Sequence, residues 1–388
     1  MKLLYYNLLV FIISMLLATV AAEIYLRADG RYADLVNENL VPSRAIWDRP
    51  ANTIQQRKHS DLGYEVEIKF NEFQIRNHHG LTLNDVEDYQ GKLIAAFGDS
   101  FTENRRVEDR FTFTTLLNNI LKPDFMVLNM GVDSYGLDQS YIKYLDFKAR
   151  KQLDHVFYIF YKNDLRNLYE NQLFDFSDGK VGDPVQPRIN PFVSFIRQFH
   201  VCYLLIDSYA RLKARVAEET YNSEKLNERI LKKFSPEDQP KKARDSRFRD
   251  EYGGSMAKNL LSDTPTEHTL EWANRFRLLL DAWQHEVEKN GGRFTIIVVP
   301  NQVSTDLAEV LFGEQFKAQT LYLSDYFPEG YSDFRFVNDA HWNEKGNLRA
   351  AQAIAQWGTE QKLWPDKKSV FDSLTEQTEA AIEKLYQQ

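Results

Sequence analysis

Short apolar runs alternate with amphipathic stretches along most of the chain after residue 90. The runs are nearly continuous and end at glycine or polar residues, which is typical of strands buried on both faces. They predict strands at 93–97, 125–128, 155–161 and 294–300, and helices at 112–121, 135–148, 270–289 and 348–357. This alternation indicates right-handed βαβ units, and therefore an α/β fold in which helices cover both faces of a parallel sheet.

Two segments do not follow this alternation of strands and helices, one before residue 90 and one within the later chain. Residues 64–70 alternate apolar and polar side chains, which predicts a half-buried strand in a small β-rich lead-in packed on the main domain. A later stretch dominated by charged residues and Gln predicts an insertion, with a helix near 211–233 and then a mobile stretch. A lid, a surface for a protein partner and plain disorder are the three interpretations of this insertion. The predicted organisation is a terminal segment 1–22, the lead-in 23–90, a main domain 91–208 and 269–362, the insertion 209–268, and a C-terminal helix 363–388.

The terminal segment is almost wholly apolar from Leu3 to Ala22. Its length is enough to span a bilayer as a helix. The same stretch fits a secretory signal with a cleavage site after 20–22, although its apolar part is long for a cleaved signal and favours an uncleaved anchor. In both interpretations the rest of the chain is exported. The predicted location is the extracytoplasmic side of the inner membrane, or the periplasm or medium if the segment is cleaved.

Charge and cysteine content narrow the classes of partner. The net charge of −8 over 388 residues lacks the basic excess of nucleic-acid-binding proteins. The single cysteine, Cys202, excludes an internal disulfide framework and a multi-cysteine metal site. Its apolar neighbours predict a buried structural thiol.

The first candidate for chemistry is Ser100, at the end of the apolar run 93–97. Gly98 allows a sharp turn, so Ser100 is expected at the carboxyl end of a central strand, where open α/β sheets place their ligand sites. The free backbone N–H groups that begin the next helix would lie near its hydroxyl. A tight turn capped by Asp99 or Ser100 gives the same triplet without any function.

A hydrolase that transfers acyl groups also needs a base, an acid to orient it, and donors for the oxyanion. Of the eight histidines, only His341 closely follows an acid, Asp339, in a loop that leads into a helix. In an extended or turn segment the two side chains lie on the same side, which leaves one imidazole nitrogen for Ser100. The alternative is a helix cap at Asp339 beside a surface histidine.

Three oxyanion donors are expected. They are the backbone N–H of Ser100, a backbone N–H in the turn 131–136 after the second strand, and the neutral side-chain amide of Asn163 after the third strand. A turn-capping asparagine is the alternative for Asn163.

These stretches together resemble the sequence blocks of the SGNH (GDSL-type) hydrolases, a family of serine esterases. The matching stretches are Gly98-Asp99-Ser100-Phe101, residues 129–139, Tyr161-Lys162-Asn163-Asp164 and Asp339-Ala340-His341. The resemblance covers about 91–165 and 270–357, and 60–80 resembles exported bacterial members. It implies a three-layer α/β/α architecture with a central, mainly parallel sheet of flavodoxin-like kind.

The chain departs from the family pattern at three places. Ser134 aligns with the glycine whose N–H usually serves the oxyanion hole, and Tyr161 stands where a glycine is usual. One residue separates Asp339 from His341, where many members have two, and Asn338 at the longer spacing is not a carboxylate. The shorter spacing also occurs in exported esterase-like proteins of polysaccharide pathways.

The expected function is an exported, membrane-anchored serine esterase that needs no metal and no organic cofactor. The resemblance implies an acyl ester substrate, with O-acetyl groups on a carbohydrate first and lipid esters second. An acyltransferase would use the same site, and a non-catalytic envelope protein that binds a glycan or a protein partner is the other class. Aromatic residues beside the motifs fit sugar stacking and equally fit ordinary packing: Phe101, Tyr135 and Trp342.

Overall fold

The computed structural model describes residues 2–29, 41–78, 81–176, 179–185, 199–202, 204–205, 208–209, 256–327, 331–337 and 339–387. The chain divides into two compact units, Met1–Pro42 with Arg188–Asp238 and Ser43–Pro187 with Gln239–Gln388. Most of the predicted insertion, including its helix near 211–233, lies outside the described residues.

The first unit contains helix α1 (Lys2–Asp29). Residues Tyr5–Asp29 are long and apolar enough to cross a membrane, and none of their most apolar part is buried within the protein. Cys202 also belongs to this unit. It is partly exposed, which corrects the prediction of a buried thiol.

The predicted lead-in 23–90 is divided between the two units at Ser43, because its first residues, up to Asp29, belong to helix α1, and it forms β-strands from Val41 onward. Its strands are β1 (Val41–Ser43), β2 (Ile46–Asp48), β3 (Thr53–Lys58) and β4 (Glu65–Phe70). β4 is the strand that the sequence predicts, and it pairs antiparallel with β3. Three alternate residues of β4 face inward and are buried: Val66, Ile68 and Phe70.

The main sheet has five strands in the order β6-β5-β7-β8-β9, and every neighbouring pair is parallel. They are β5 (Lys92–Gly98), β6 (Phe125–Asn129), β7 (Leu153–Phe160), β8 (Arg293–Val298) and β9 (Thr320–Tyr322). The chain moves outward from β5 in both directions, so the order reverses at β5. Such a reversal opens a crevice at the carboxyl ends of the strands.

Helices follow the strands, which makes the unit an α/β structure with a parallel sheet, as predicted. In chain order they are α2 (Leu83–Glu87), α3 (Ser100–Glu103), α4 (Phe113–Leu121), α5 (Leu137–Asp146), α6 (Asp164–Asn171), α7 (Met256–Leu260), α8 (Glu267–Lys289), α9 (Gln302–Lys317), α10 (Glu344–Glu360) and α11 (Lys368–Tyr386). α7 carries buried Met256 and Leu260, so this described end of the insertion packs into the core.

Alternate residues of the central strand β7 pack against different helices. Phe157 and Ile159 belong to the apolar cluster that includes α4, α10 and α11. Tyr158 and Phe160 instead contact α8, through Trp283 and Phe276 respectively. Burial of both sets explains why this strand reads as a continuous apolar run in the sequence.

Candidate active site

The turn from β5 into α3 places Ser100 at the carboxyl end of a central strand. Gly98 has a φ of 151°, and a Cβ there would lie 2.8 Å from the carbonyl oxygen of Ile159. Only glycine fits this turn without strain. Asp99 then caps α3 by accepting the Phe101 N–H at 2.9 Å. Ser100 therefore begins a helix beside the strand neighbours β6 and β7.

Ser100, His341 and Asp339 form a hydrogen-bonded chain. The Oγ of Ser100 lies 2.6 Å from Nε2 of His341, and Nδ1 of the same ring hydrogen-bonds to Asp339. The Asp339 carboxylate also accepts the backbone N–H of His341 at 3.0 Å. With the proton on Nδ1, Nε2 is free to accept the hydroxyl proton of Ser100. The structure thus brings together the three residues that the sequence singles out.

Asp339 has a second partner that the sequence reasoning missed. Its other carboxylate oxygen is ion-paired with the guanidinium of Arg106. Burial favours a raised pKa for the Asp339 carboxyl, but the hydrogen bond from His341 and the charges of His341 and Arg106 outweigh it and lower that pKa to about 2. Asp339 therefore stays charged at neutral pH. Nothing in the sequence marks Arg106, since it is one charged residue in a loop.

Two of the backbone N–H groups predicted to serve the oxyanion have no acceptor among the described residues. Within the described chain, no other residue accepts a hydrogen bond from the N–H of Ser100 or of Ser134. Ser134 has a φ of 65°, the left-handed conformation that favours glycine. The turn that carries it is fixed on α3, because the Asp133 N–H donates to Glu103 at 2.6 Å. A serine in this conformation presents the same backbone N–H as a glycine would.

Asn163 does not act as a helix cap. It precedes α6, but its side chain makes no capping hydrogen bond. The side-chain amide instead lies near the Asp99 carboxylate, whose pKa it helps to lower against the effect of burial, and its Oδ1 is buried with no partner among the described residues. A side-chain amide carries two N–H donors, so one remains for an oxyanion.

Two buried carboxyl groups lie close to this amide. Asp164 accepts hydrogen bonds from the hydroxyl of Tyr158 at 2.6 Å and from the N–H of Tyr161 at 3.2 Å. Burial raises the pKa of Asp99 to about 6 and raises that of Asp164 well above its ordinary value. A protonated Asp164 adds no negative charge near a developing oxyanion.

The three aromatic residues predicted to contact substrate are core residues. Phe101, Tyr135 and Trp342 are 2%, 1% and 1% exposed. Phe101 packs against the His341 ring with the centroids 5.0 Å apart, and Tyr135 donates its hydroxyl to a backbone carbonyl of the lead-in. They present no open face to a sugar, which corrects the stacking interpretation in favour of packing.

Tyr161 is a partly exposed ring close to the site. It packs on Phe101 with the centroids 4.6 Å apart. Within the described ranges, no group of three or more His, Cys, Asp or Glu side chains is arranged to hold a metal ion.

Comparisons with known proteins add little to this geometry. No protein-family model matches the chain, and no curated protein matches it. Solved structures do match, and one of them, a crystal structure, is 13% identical over 70% of this chain and 99% of its own. Its TM-score is 0.28, at which the similarity carries no argument about fold or function.

Proposed function

We propose that this chain is a serine ester hydrolase of SGNH type, built on a three-layer α/β/α arrangement around its parallel sheet. The observation that carries the proposal is the chain of hydrogen bonds from Asp339 through His341 to Ser100, with 2.6 Å between the serine oxygen and the imidazole. The N–H groups of Ser100 and Ser134, which have no acceptor among the described residues, support the same chemistry.

The reaction follows from the geometry. His341 accepts the hydroxyl proton as Ser100 Oγ attacks the ester carbonyl, and the negative charge moves to the carbonyl oxygen. The N–H groups of Ser100 and Ser134 and the amide of Asn163 stabilise that oxyanion. His341 returns the proton to the leaving alcohol. Water then attacks the acyl-enzyme. His341 accepts a proton from this water and returns it to Ser100 Oγ as the carboxylic acid product leaves.

Asp339 supports both half-reactions without changing its protonation state. Its carboxylate holds the Nδ1 proton and stabilises the imidazolium that forms at each step. The lowered pKa, about 2, keeps this carboxylate charged throughout.

The substrate class in this proposal is an acyl ester, with O-acetyl groups on a carbohydrate as the class that the family resemblance implies. A sugar hydroxyl in place of water would turn the same site into an acyltransferase. Export to the cell envelope is part of the proposal, and the apolar helix α1 supports it.

The test is hydrolysis of p-nitrophenyl acetate by the full chain in detergent. Ser100→Ala is expected to reduce turnover to background, because no other group can form the acyl-enzyme. Ser140→Ala is the matched control, since Ser140 is a buried serine whose hydroxyl has no partner among the described residues. That control is expected to keep wild-type turnover.

A fluorophosphonate probe gives a second measurement that does not depend on the natural ester. Wild type and Ser140→Ala are expected to be labelled, and Ser100→Ala and His341→Ala are not. A folded wild type that neither hydrolyses the ester nor reacts with the probe would contradict the proposal and favour the non-catalytic alternative.

A further inference from the structure

The segment that carries Asp339 and His341 is short and is fixed at both ends. We call residues 336–343 the acid–base loop. Phe336 donates its N–H to the His341 carbonyl at 3.1 Å, which closes the loop on itself. The next residue, Val337, donates its N–H to the carboxylate of Asp61, with distances of 3.0 and 3.3 Å to the two oxygens. Asp61 belongs to the turn between β3 and β4 of the lead-in.

The other end of the loop meets the same turn through His59. Its Nδ1 accepts the backbone N–H groups of Asp61 at 3.3 Å and Leu62 at 3.1 Å. The proton of the neutral ring therefore lies on Nε2, which donates to Glu344 at 3.0 Å. Both side chains are fully buried, and Tyr386 donates its hydroxyl to the second oxygen of Glu344 at 3.0 Å.

Glu344 is the first residue of α10, so this contact fixes the point where the acid–base loop enters the helix. The ring of His59 is itself fixed by stacking. Tyr64 lies parallel to it at 4.9 Å, and Phe336 meets it edge-on at 5.1 Å. The turn between β3 and β4 thus contacts the start of the acid–base loop at Phe336 and Val337, and it contacts the first residue after the loop, Glu344.

The lead-in reaches the other side of the site as well. Arg49 donates two hydrogen bonds of 2.6 and 2.9 Å to Glu103. Glu103 in turn accepts the N–H of Asp133, in the turn 131–136 that carries Ser134. Arg76 pairs with Asp109 at 2.7 Å and donates to backbone carbonyls of the segment that carries Arg106. These are buried, charge-assisted contacts, which hold geometry more tightly than exposed ones.

We propose that His59 and Asp61 are positioning residues that hold the two ends of the acid–base loop, and so keep His341 in register with Ser100. The expected loss of kcat rests on the proposed esterase function, whereas the expected change in the position of the His341 ring does not. An imidazole displaced by about 1 Å loses its alignment with the serine hydroxyl, and displacements of that size cost up to about 100-fold in rate.

The experiment compares full-length variants by kcat, KM and thermal stability. Asp61→Ala removes the acceptor for the Val337 N–H and is expected to lower kcat about tenfold or more with KM unchanged. Asp61→Asn keeps an acceptor oxygen and is expected to restore most of kcat. Asp154→Ala is the matched control, because Asp154 accepts the Leu93 N–H at 2.8 Å at the start of β5, away from the acid–base loop.

A spectroscopic readout separates positioning from activity. In ¹⁵N-histidine-labelled protein the proton on His341 Nδ1, identified by its loss in Asp339→Asn, is expected to shift or broaden in Asp61→Ala and to stay unchanged in Asp154→Ala. His59→Gln keeps a donor toward Glu344 but loses the Nδ1 acceptor. It replaces Asp61→Ala as the test variant if Asp61→Ala does not fold. The same change in the Nδ1 proton is expected of it.

The outcomes are distinct. If Asp61→Ala loses stability but keeps the kcat and the Nδ1 proton signal of Asp154→Ala, the two lead-in residues serve stability alone and the positioning proposal is wrong. If wild type shows no ester turnover but the Nδ1 signal still responds to Asp61→Ala, positioning stands and the esterase proposal fails.

Discussion

At the scale of single residues, Asp339 keeps its negative charge well into the acid range. Its pKa, lowered to about 2, lies below the ordinary aspartate value of about 3.9. The stability that Asp339 contributes is therefore present above about pH 4 and is lost as the pH falls through 2. Protonation of the Asp339 carboxylate therefore does not account for a loss of activity in mild acid.

The first prediction concerns Asp339→Asn. An amide cannot stabilise the imidazolium and can hold the wrong histidine tautomer, so kcat is expected to fall roughly 10³–10⁴-fold with little change in KM. Asp333→Asn changes an exposed aspartate in the segment just before the acid–base loop and is expected to leave kcat unchanged. Steady-state kinetics with p-nitrophenyl acetate measure both, and equal rates in the two variants would remove Asp339 from the mechanism.

The second prediction concerns the positive φ of Ser134. A side chain in the left-handed region costs about 1 kcal/mol that glycine does not pay, and the weak Oγ contact to Asp133 at 3.4 Å returns little of it. Ser134→Gly is therefore expected to raise Tm and to keep kcat, because the backbone N–H is unchanged.

The control for that substitution is Ser140→Gly in the middle of α5. The same chemical change there costs about 0.5 kcal/mol of helix stability, so Tm is expected to fall. Thermal unfolding followed by circular dichroism distinguishes the two signs. A lower Tm for Ser134→Gly would show that the serine side chain stabilises its turn.

The residues of the site differ in how well the sequence predicts them. Ser100 follows a predicted strand, where open α/β sheets place their ligand sites, whereas Asp339 and His341 are marked by their close spacing in the loop before the predicted helix 348–357. The role of Arg106 cannot be predicted from the sequence, because its partner, Asp339, lies more than two hundred residues away along the chain. Phe101 and Trp342 follow motif residues, but their burial depends on packing that no local pattern encodes.

At the scale of elements, length decides what the sequence can predict. The long amphipathic α8 and the apolar strands β5 to β8 are recovered to within a few residues, because each carries many positions with one period. β9 has three residues and β3 is mostly polar, so neither shows a pattern, and both depend on a partner strand. α10 begins at Glu344, earlier than its apolar period, because Asn343 caps it.

The third prediction uses that cap. The side chain of Asn343 accepts the Gly346 N–H at 3.0 Å and donates to the carbonyls of Asp333 and Arg335, each at 3.0 Å. It therefore joins the start of α10 to the chain just before the acid–base loop. Asn343→Ala is expected to cost about 1–2 kcal/mol of stability and also to lower kcat, since His341 lies two residues before the cap.

Thr266→Ala is the matched control for this cap. Thr266 accepts the Thr269 N–H at 3.3 Å at the start of α8, away from the acid–base loop. It is expected to lose stability of similar size and to keep kcat. Kinetics corrected for the folded fraction decide the matter, and an unchanged kcat in both variants would limit the Asn343 cap to a structural role.

At the scale of the whole molecule, the lead-in is the part whose role the sequence least reveals. Its alternating strand is predictable, but the pairing of His59 with Glu344 joins residues 285 positions apart. Neither residue has an unusual neighbour in sequence. Contacts of this kind form only when the folded sheet brings distant segments together. Hydrophobic periodicity therefore predicts the strand but not the contact between His59 and Glu344.

The fourth prediction concerns helix α1 and the membrane. Its side chains from Tyr5 to Val20 are mostly apolar and are exposed, as Phe11 and Leu17 at 62% and 65% show, and exposure of such a surface to water is costly. The full chain is therefore expected to sediment with membranes and to resist extraction by alkaline carbonate. A chain lacking residues 1–29 is expected in the soluble fraction.

N-terminal sequencing of the purified protein separates the two origins of this behaviour. An intact terminus on a membrane-bound chain means an anchor, whereas a terminus just after 20–22 on a soluble chain means a cleaved signal. A soluble chain with an intact terminus would contradict both, because the apolar surface of α1 would then need a cover of protein. Replacing Leu9 with Arg provides the control, since a charge in the middle of a membrane-spanning helix costs about 3 kcal/mol and should weaken the membrane association.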